Sequence, residues 1–323
     1  MTSLLIADTE SSTIELRDAT SFERLALLPT RSMPHEVAVD PRCRIGYVSI
    51  SYEDGFYGNY EKASHFLEVV SLDGPRHLRT VDLSPHWGPH GIQLSPDLRT
   101  ALISCESHGG EVIALDLGTG EVTGSVPVGA HGPHWLALTP DGAKVYTANK
   151  EDPFVTVVDV ASMAVTGRIE TPYGTEGIAA SPDGSRVFVA SRRSPQLYVV
   201  DVATDRPERT VRLAEGPGAV TVTPDGGQVV FTSFNFDVWN EKPLLRQGFV
   251  QVLEVAGWVL GPRIPVGRFP LNVTTGSDGS TAYVCNYKDD TVSVVDLREM
   301  AVTRTAPVGA GPHGIACFER ECS

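Results

Sequence analysis

The sequence predicts an all-β chain closed into a seven-bladed β-propeller of four-stranded blades. Three observations carry this: one phrase recurs seven times, its spacing keeps returning to 42 residues, and the two chain ends together complete one unit.

The phrase is Pro-x-Gly/Val followed by an alternating apolar run and Pro-Asp-Gly. It fits PHEVAVDPR, PHGIQLSPD, PHWLALTPDG, TEGIAASPDG, PGAVTVTPDG, PLNVTTGSDG and PHGIACF. The slot after the proline-like position falls at residues 35, 90, 134, 176, 218, 271 and 313. Successive slots are 55, 44, 42, 42, 53 and 42 residues apart, a constant period with two insertions. Within the third unit, WLALTP, VYTANK, FVTVVDV and AVTGRIE are β-branched runs separated by DGAK, EDP and ASM. Alternation broken by Asp-Gly and Pro turns is hairpin chemistry, and no helical periodicity competes with it. Four strands repeating every ~40 to 45 residues make a propeller blade. The chain opens with three strands (SLLIADT, STIELRD, RLALLPT) and ends with one (HGIACF). Together they form a seventh blade that closes the ring and removes the open edge of a linear array. The expectation is a single domain over residues 1–323.

Composition narrows the function. The formal charge of −14 argues against nucleic acid and anionic membranes, whose phosphates need clustered Lys and Arg. No apolar run approaches the ~18 to 20 residues of a membrane-spanning helix. The N-terminus, MTSLLIADTESSTIEL, carries no basic segment ahead of a long apolar stretch, so it does not read as a signal peptide. Cys43, Cys105, Cys285, Cys317 and Cys322 are odd in number and widely spaced, which fits neither a disulfide framework nor a thiolate zinc site. A cytoplasmic protein, monomeric or homodimeric, with a small-molecule substrate is expected.

At GIAASPDGSRVFVAS, HWLALTPDGAKVYTANK and TAYVCNYKDDTVSVVDL the chain resembles the YVTN-repeat, YncE-like seven-bladed propellers. The resemblance runs over nearly the whole chain and implies the fold. It implies no single function, because that family is functionally mixed and often exported.

In a propeller the first strand of each blade lines the central channel, and the slot sits at the mouth of that strand. Its occupants in ring order are His35, His90, His134, Glu176, Gly218, Leu271 and His313. Position 313 neighbours 35 around the ring, so four histidines occupy consecutive blades. Equivalent strand positions point the same way, so four imidazoles are expected to converge on one axial point. A duplicated repeat can carry a histidine merely by descent. Against that, four of the nine histidines fill seven slots whose other occupants have diverged. Imidazole is the commonest metal ligand, and an all-imidazole set suits iron, copper, nickel or zinc better than magnesium.

Glu176, in the next slot, is a candidate to accept from the ring N–H of His134 and so orient it, or to act as a general base. Glu106 and His108 in CESHGG are further candidate catalytic groups on the same face. Both insertions, residues 51–64 and 234–247, fall in loops joining the second and third strands of a blade and emerge on that face. They supply aromatic candidates for a substrate wall, including Tyr52, Phe234 and Trp239. Lys150 and Arg192 could hold an anionic substrate group. Trp87, Trp135 and Tyr287 could stack on substrate, although Trp135 also reads as an interblade core residue. His86 and His131 read as loop residues, and His65 and His77 as structural.

The favoured reading is a metal-dependent enzyme, an oxidoreductase or oxygenase ahead of a lyase or isomerase. Carotenoid-cleaving oxygenases place four histidines from separate blades around iron, and virginiamycin B lyase is a seven-bladed propeller with a catalytic histidine. Both are similarities of arrangement. A non-catalytic binding scaffold is the alternative from another class, and a lactone hydrolase ranks last because it would favour carboxylate and Asn ligands.

Overall fold

A computed structural model describes residues 2–54, 62–171, 174–233 and 246–319, with the backbone of two short strands at Phe236–Asp237 and Lys242–Pro243. Phe234 and Trp239 lie outside the described residues, as do residues 55–61 of the blade 1 insertion. Seven antiparallel blades surround a channel. Their innermost strands are Met33–Asp40, Pro89–Leu94, Pro133–Leu138, Ile178–Ala180, Val220–Val222, Pro270–Thr275 and Pro312–Glu319, numbered here as blades 1 to 7.

Blade 7 joins the chain ends as the sequence predicts. Its inner strand, Pro312–Glu319, pairs antiparallel with Thr2–Asp8, with Leu4 opposite Cys317 and Leu5 opposite Ala316. Thr13–Asp18 and Arg24–Pro29 complete that blade. Blade 5 departs from the four-strand pattern: Val259–Leu260 and Ile264–Arg268 both pair with Gln247–Glu254, because Gly261 and Pro262 interrupt its outer strand.

Period-two alternation builds the core between blades rather than within them. In blade 4, Val187 and Val189 pack towards Tyr146 and Val157 of blade 3. Phe188 and Ala190, one residue out of phase, pack towards Val229 and Phe231 of blade 5. In blade 7, Leu5 faces Val48 and Ile50 of blade 1, whereas Leu4 faces Tyr283 and Cys285 of blade 6. Each blade is therefore apolar on both faces, and closing the ring is what covers the last one.

The Pro-Asp-Gly turns have a common chemistry. Ser181 Oγ donates to Asp183 Oδ1 at 2.6 Å, the Ser185 amide donates to the same oxygen at 3.0 Å, and Gly184 takes φ +71°. These bonds draw the Asp183 pKa down to about 2, the Ser181 hydroxyl contributing most. The same hydroxyl–carboxylate pair recurs as Ser95–Asp97, Thr139–Asp141 and Thr223–Asp225. Regular turns return each blade's second strand to the inner one in a repeated register, which holds the slot residues at one height.

Candidate metal centre

Close approach of the inner strands creates the site. The residue after the slot is Gly in blades 2, 4 and 7. A Cβ on Gly91 would stand 2.9 Å from the His134 carbonyl oxygen, and one on Gly314 would stand 2.4 Å from that of His35. Glycine thus lets one histidine-bearing strand lie against the backbone of the next. The Ser104 hydroxyl donates to the His134 carbonyl, and Ser49 Oγ accepts the Glu36 amide at 2.9 Å.

His35, His90, His134 and His313 are all buried at the channel mouth. His35 stands 4.9 Å from His313 and 5.4 Å from His90, ring centroid to centroid, and His90 is 5.5 Å from His313. His134 instead lies against His90, with centroids 3.9 Å apart. The single meeting point expected of four imidazoles therefore resolves into two overlapping sets. Ligand atoms of His35, His90 and His313 lie within 4.8 Å of one another, and so do those of His90, Glu106 and His134. A ring of seven slots is wider than one ion's coordination sphere, so consecutive blades can deliver only about three residues to one point.

The chemistry of these donors fits a metal. Burial, and then the neighbouring His313, pushes the His35 pKa well below its usual value; burial and His35 do the same for His90, and burial and His90 for His134. Neutral imidazole is the ligating form. His90 Nδ1, His134 Nδ1 and Glu106 Oε2 are buried with no hydrogen-bond partner among the described residues. Buried polar atoms left in that state need a further partner.

Support comes from around the cluster. His35 Nδ1 lies 3.2 Å from the Met33 carbonyl. His313 Nδ1 lies 3.0 Å from Glu36 Oε1, off the line of a hydrogen bond. Tyr52 ends the strand Ile45–Tyr52 instead of projecting from the loop; it is fully buried, edge-on to His35 at 5.2 Å, and its hydroxyl donates to Glu106 Oε1. Burial dominates at Glu106 and raises its pKa to about 7, against the lowering pull of Lys150 and Tyr52.

The remaining predicted residues are dispersed. Glu176 is buried, with Lys150 Nζ at 3.9 Å and Arg192 at 3.4 Å, so its neighbours are cations and not His134. Arg192 and Arg193 also meet Glu151, at 3.4 and 3.2 Å. Burial lowers the Lys150 pKa, with Glu176 opposing that shift. Trp135 is partly buried and packs against the interblade cores of blades 3–4 and 5–6, in keeping with its reading as a core residue. It lines the channel below the cluster, 4.6 Å from His134, 6.1 Å from His90 and 6.4 Å from His313. Tyr287 stands 6.4 Å from His313. His108 is exposed and meets Trp87 at 5.7 Å, outside the cluster, while Trp87 packs on His65 at 4.4 Å. His86 and His131 contact Glu111 and Asp152 in loops.

Sequence reasoning missed Glu36 and Asn272, whose amide donates to both Glu36 oxygens. A signal existed. After the slot, where other blades carry Gly or Ala, blades 1, 3 and 6 carry Glu36, Trp135 and Asn272, and all three line the channel.

No helix among the described residues is long and apolar enough to cross a membrane. No family model matches the chain, and no curated protein does. Solved structures do. A functionally unknown protein from Desulfotomaculum acetoxidans DSM 771 is similar at TM-score 0.79 and 13% identity, with 99% of each chain covered. Kuenenia stuttgartiensis hydrazine synthase is similar at TM-score 0.73 and 18% identity, covering 87% of this chain and 88% of that one. At these identities the likeness establishes the seven-bladed β-propeller fold.

Proposed function

We propose that the chain is a metal-dependent enzyme acting on a small molecule, with a first-row divalent ion seated among the channel-mouth histidines. One observation carries the reading: His35, His90 and His313, buried and from three blades, bring ligand atoms within 4.8 Å of one another. Burial of neutral imidazoles with unpartnered nitrogens has no evident value for stability, since an unsatisfied buried polar atom costs about 1–3 kcal/mol. When bound, iron or copper would supply redox chemistry and zinc Lewis acidity, and the all-imidazole set favours an oxidoreductase. Around it, Lys150 and Arg192, both beside Glu176, would add positive charge that draws an anionic group, and Trp135, which lines the channel, would contact the substrate. A hydrazine synthase among the fold neighbours is consistent with an enzyme on this scaffold, at an identity that carries the fold and no reaction.

We also read the chain as a divergent YVTN-repeat propeller, on the recurrence of its Pro-Asp-Gly turns and the following strands. Unpaired Cys43, Cys105, Cys285 and Cys317 fit the cytoplasm.

Elemental analysis of untagged protein is the test. A stoichiometric first-row metal, lost in His35→Ala and His90→Ala, supports the reading. Absence of metal after reconstitution with iron, copper, nickel and zinc overturns it in favour of a binding scaffold.

A further inference from the structure

His90 belongs to both ligand sets, and its surroundings differ from those of its neighbours. His35 uses Nδ1 towards the Met33 carbonyl, and His313 turns Nδ1 towards Glu36. His90 Nδ1 is buried with no hydrogen-bond partner among the described residues, and the ring lies against those of His35, His134, His313 and Trp135. Glu106, on the far side, spends Oε1 on the Tyr52 hydroxyl and leaves Oε2 buried and unpartnered.

We propose that the channel mouth is a two-metal centre in which the His90 imidazole bridges two seats, one formed with His35 and His313 and the other with His134 and Glu106. The inference rests on the metal reading of the cluster and extends it in ion number and ligand identity. Each seat then has three protein ligands, which leaves a coordination position for an exogenous one, as a catalytic site needs. The first is all imidazole; the second is two histidines and a carboxylate, a set that suits zinc or iron(II). A bridging imidazole must give up its remaining N–H proton, which leaves to solvent as the second ion binds. Loss of that proton is favoured by two adjacent cations in a buried site.

The supports fall into place on this reading. The Met33 carbonyl holds the His35 ring, Glu36 stands 3.0 Å from His313 Nδ1, and Asn272 holds Glu36. Tyr52 holds one oxygen of Glu106, so the other is the one presented to the ion. Glu106 is thereby assigned as a ligand, where the sequence offered it only as a candidate catalytic group.

The experiment is zinc stoichiometry of the apoprotein after reconstitution and desalting, with circular dichroism to confirm folding of each variant. Wild type should hold about two equivalents; Glu106→Gln and His313→Ala should hold about one each, and His90→Ala less than one. Loaded with copper(II), wild type should show a magnetically coupled spectrum, and Glu106→Gln the signal of isolated ions. Glu106→Gln, nearly isosteric, keeps the test valid if His90→Ala fails to fold. Saturation of wild type at one equivalent, or full occupancy in Glu106→Gln, overturns the bridged centre and leaves the single-ion enzyme standing. Two equivalents retained in folded His90→Ala also overturns the bridge. Failure of wild type to hold zinc, iron, copper or nickel removes both readings together.

Discussion

Glu36 Oε1 lies 3.0 Å from His313 Nδ1, and the Asn272 amide from blade 6 holds the same carboxylate at 3.1 and 3.3 Å. Three blades thus cooperate to orient one imidazole. The contact is off the line of a hydrogen bond, but a small turn of the ring would let this carboxylate accept from Nδ1 and leave the other nitrogen for the cluster. Glu36→Gln should weaken zinc binding by about 10- to 100-fold without changing the fold. Chelator competition measures this, and an affinity within about threefold of wild type would remove Glu36 from the supporting set.

Gly91 tests whether strand approach sets the ligand geometry. Alanine there would put a methyl 2.9 Å from the His134 carbonyl and 3.2 Å from Ser104 Oγ, so the two inner strands must separate. Gly91→Ala should cost about 1–3 kcal/mol in urea denaturation and lower metal affinity, although residue 91 is no ligand. Gly167→Ala, whose methyl would meet only Val157 at 3.8 Å, serves as the tolerated control. Equal behaviour of the two variants would contradict the account.

Asp8 gives the fold a pH dependence. It is fully buried, and burial, then the charge of Glu15, raises its pKa to about 8 against the lowering pull of Arg17, Thr13 and the Gly309 backbone. The unfolded chain releases this proton near pH 4 while the folded chain keeps it to about pH 8. Within that window the native state binds more protons, so stability falls as pH rises and levels off above about 8. The stability of Asp8→Asn minus that of wild type should grow by a few kcal/mol across this range. The buried histidines titrate with the opposite sign but cancel in the difference. Urea midpoints from pH 5 to 9 would reveal a flat difference if Asp8 were ionised in the fold.

Ring closure should be indispensable. Deleting residues 312–323 removes His313 and the inner strand of blade 7, and strips Leu4 and Leu5 of cross-strand partners on that side. The exposed edge of Thr2–Asp8 invites pairing with another chain. We expect loss of cooperative melting and a shift to larger species on size exclusion. A truncated monomer that melts like wild type would show that the clasp is dispensable.

Much of the architecture was legible in the chain. Repeated Pro-Asp-Gly turns, strand alternation and the split blade were readable because local turn chemistry and period-two patterning are written in contiguous residues. The slot histidines were found by register, for the same reason. Glu106 was singled out, but its role was not, because the Tyr52 hydroxyl that binds it lies 54 positions away in sequence. Glu176 was expected beside His134 and instead meets Lys150 and Arg192, since charged side chains choose partners by spatial field and not by neighbouring slot.

By itself the sequence determined the number of blades, the closure of the ring and the height at which four histidines stand, all consequences of short-range periodicity. Only the tertiary structure decided which histidines share a point, that Trp135 turns into the channel, and that Glu36 and Asn272 reach across it. Those relationships depend on how far apart seven inner strands stand around an axis, a distance fixed by interblade packing and the bulk of residues such as Gly91 and Gly314.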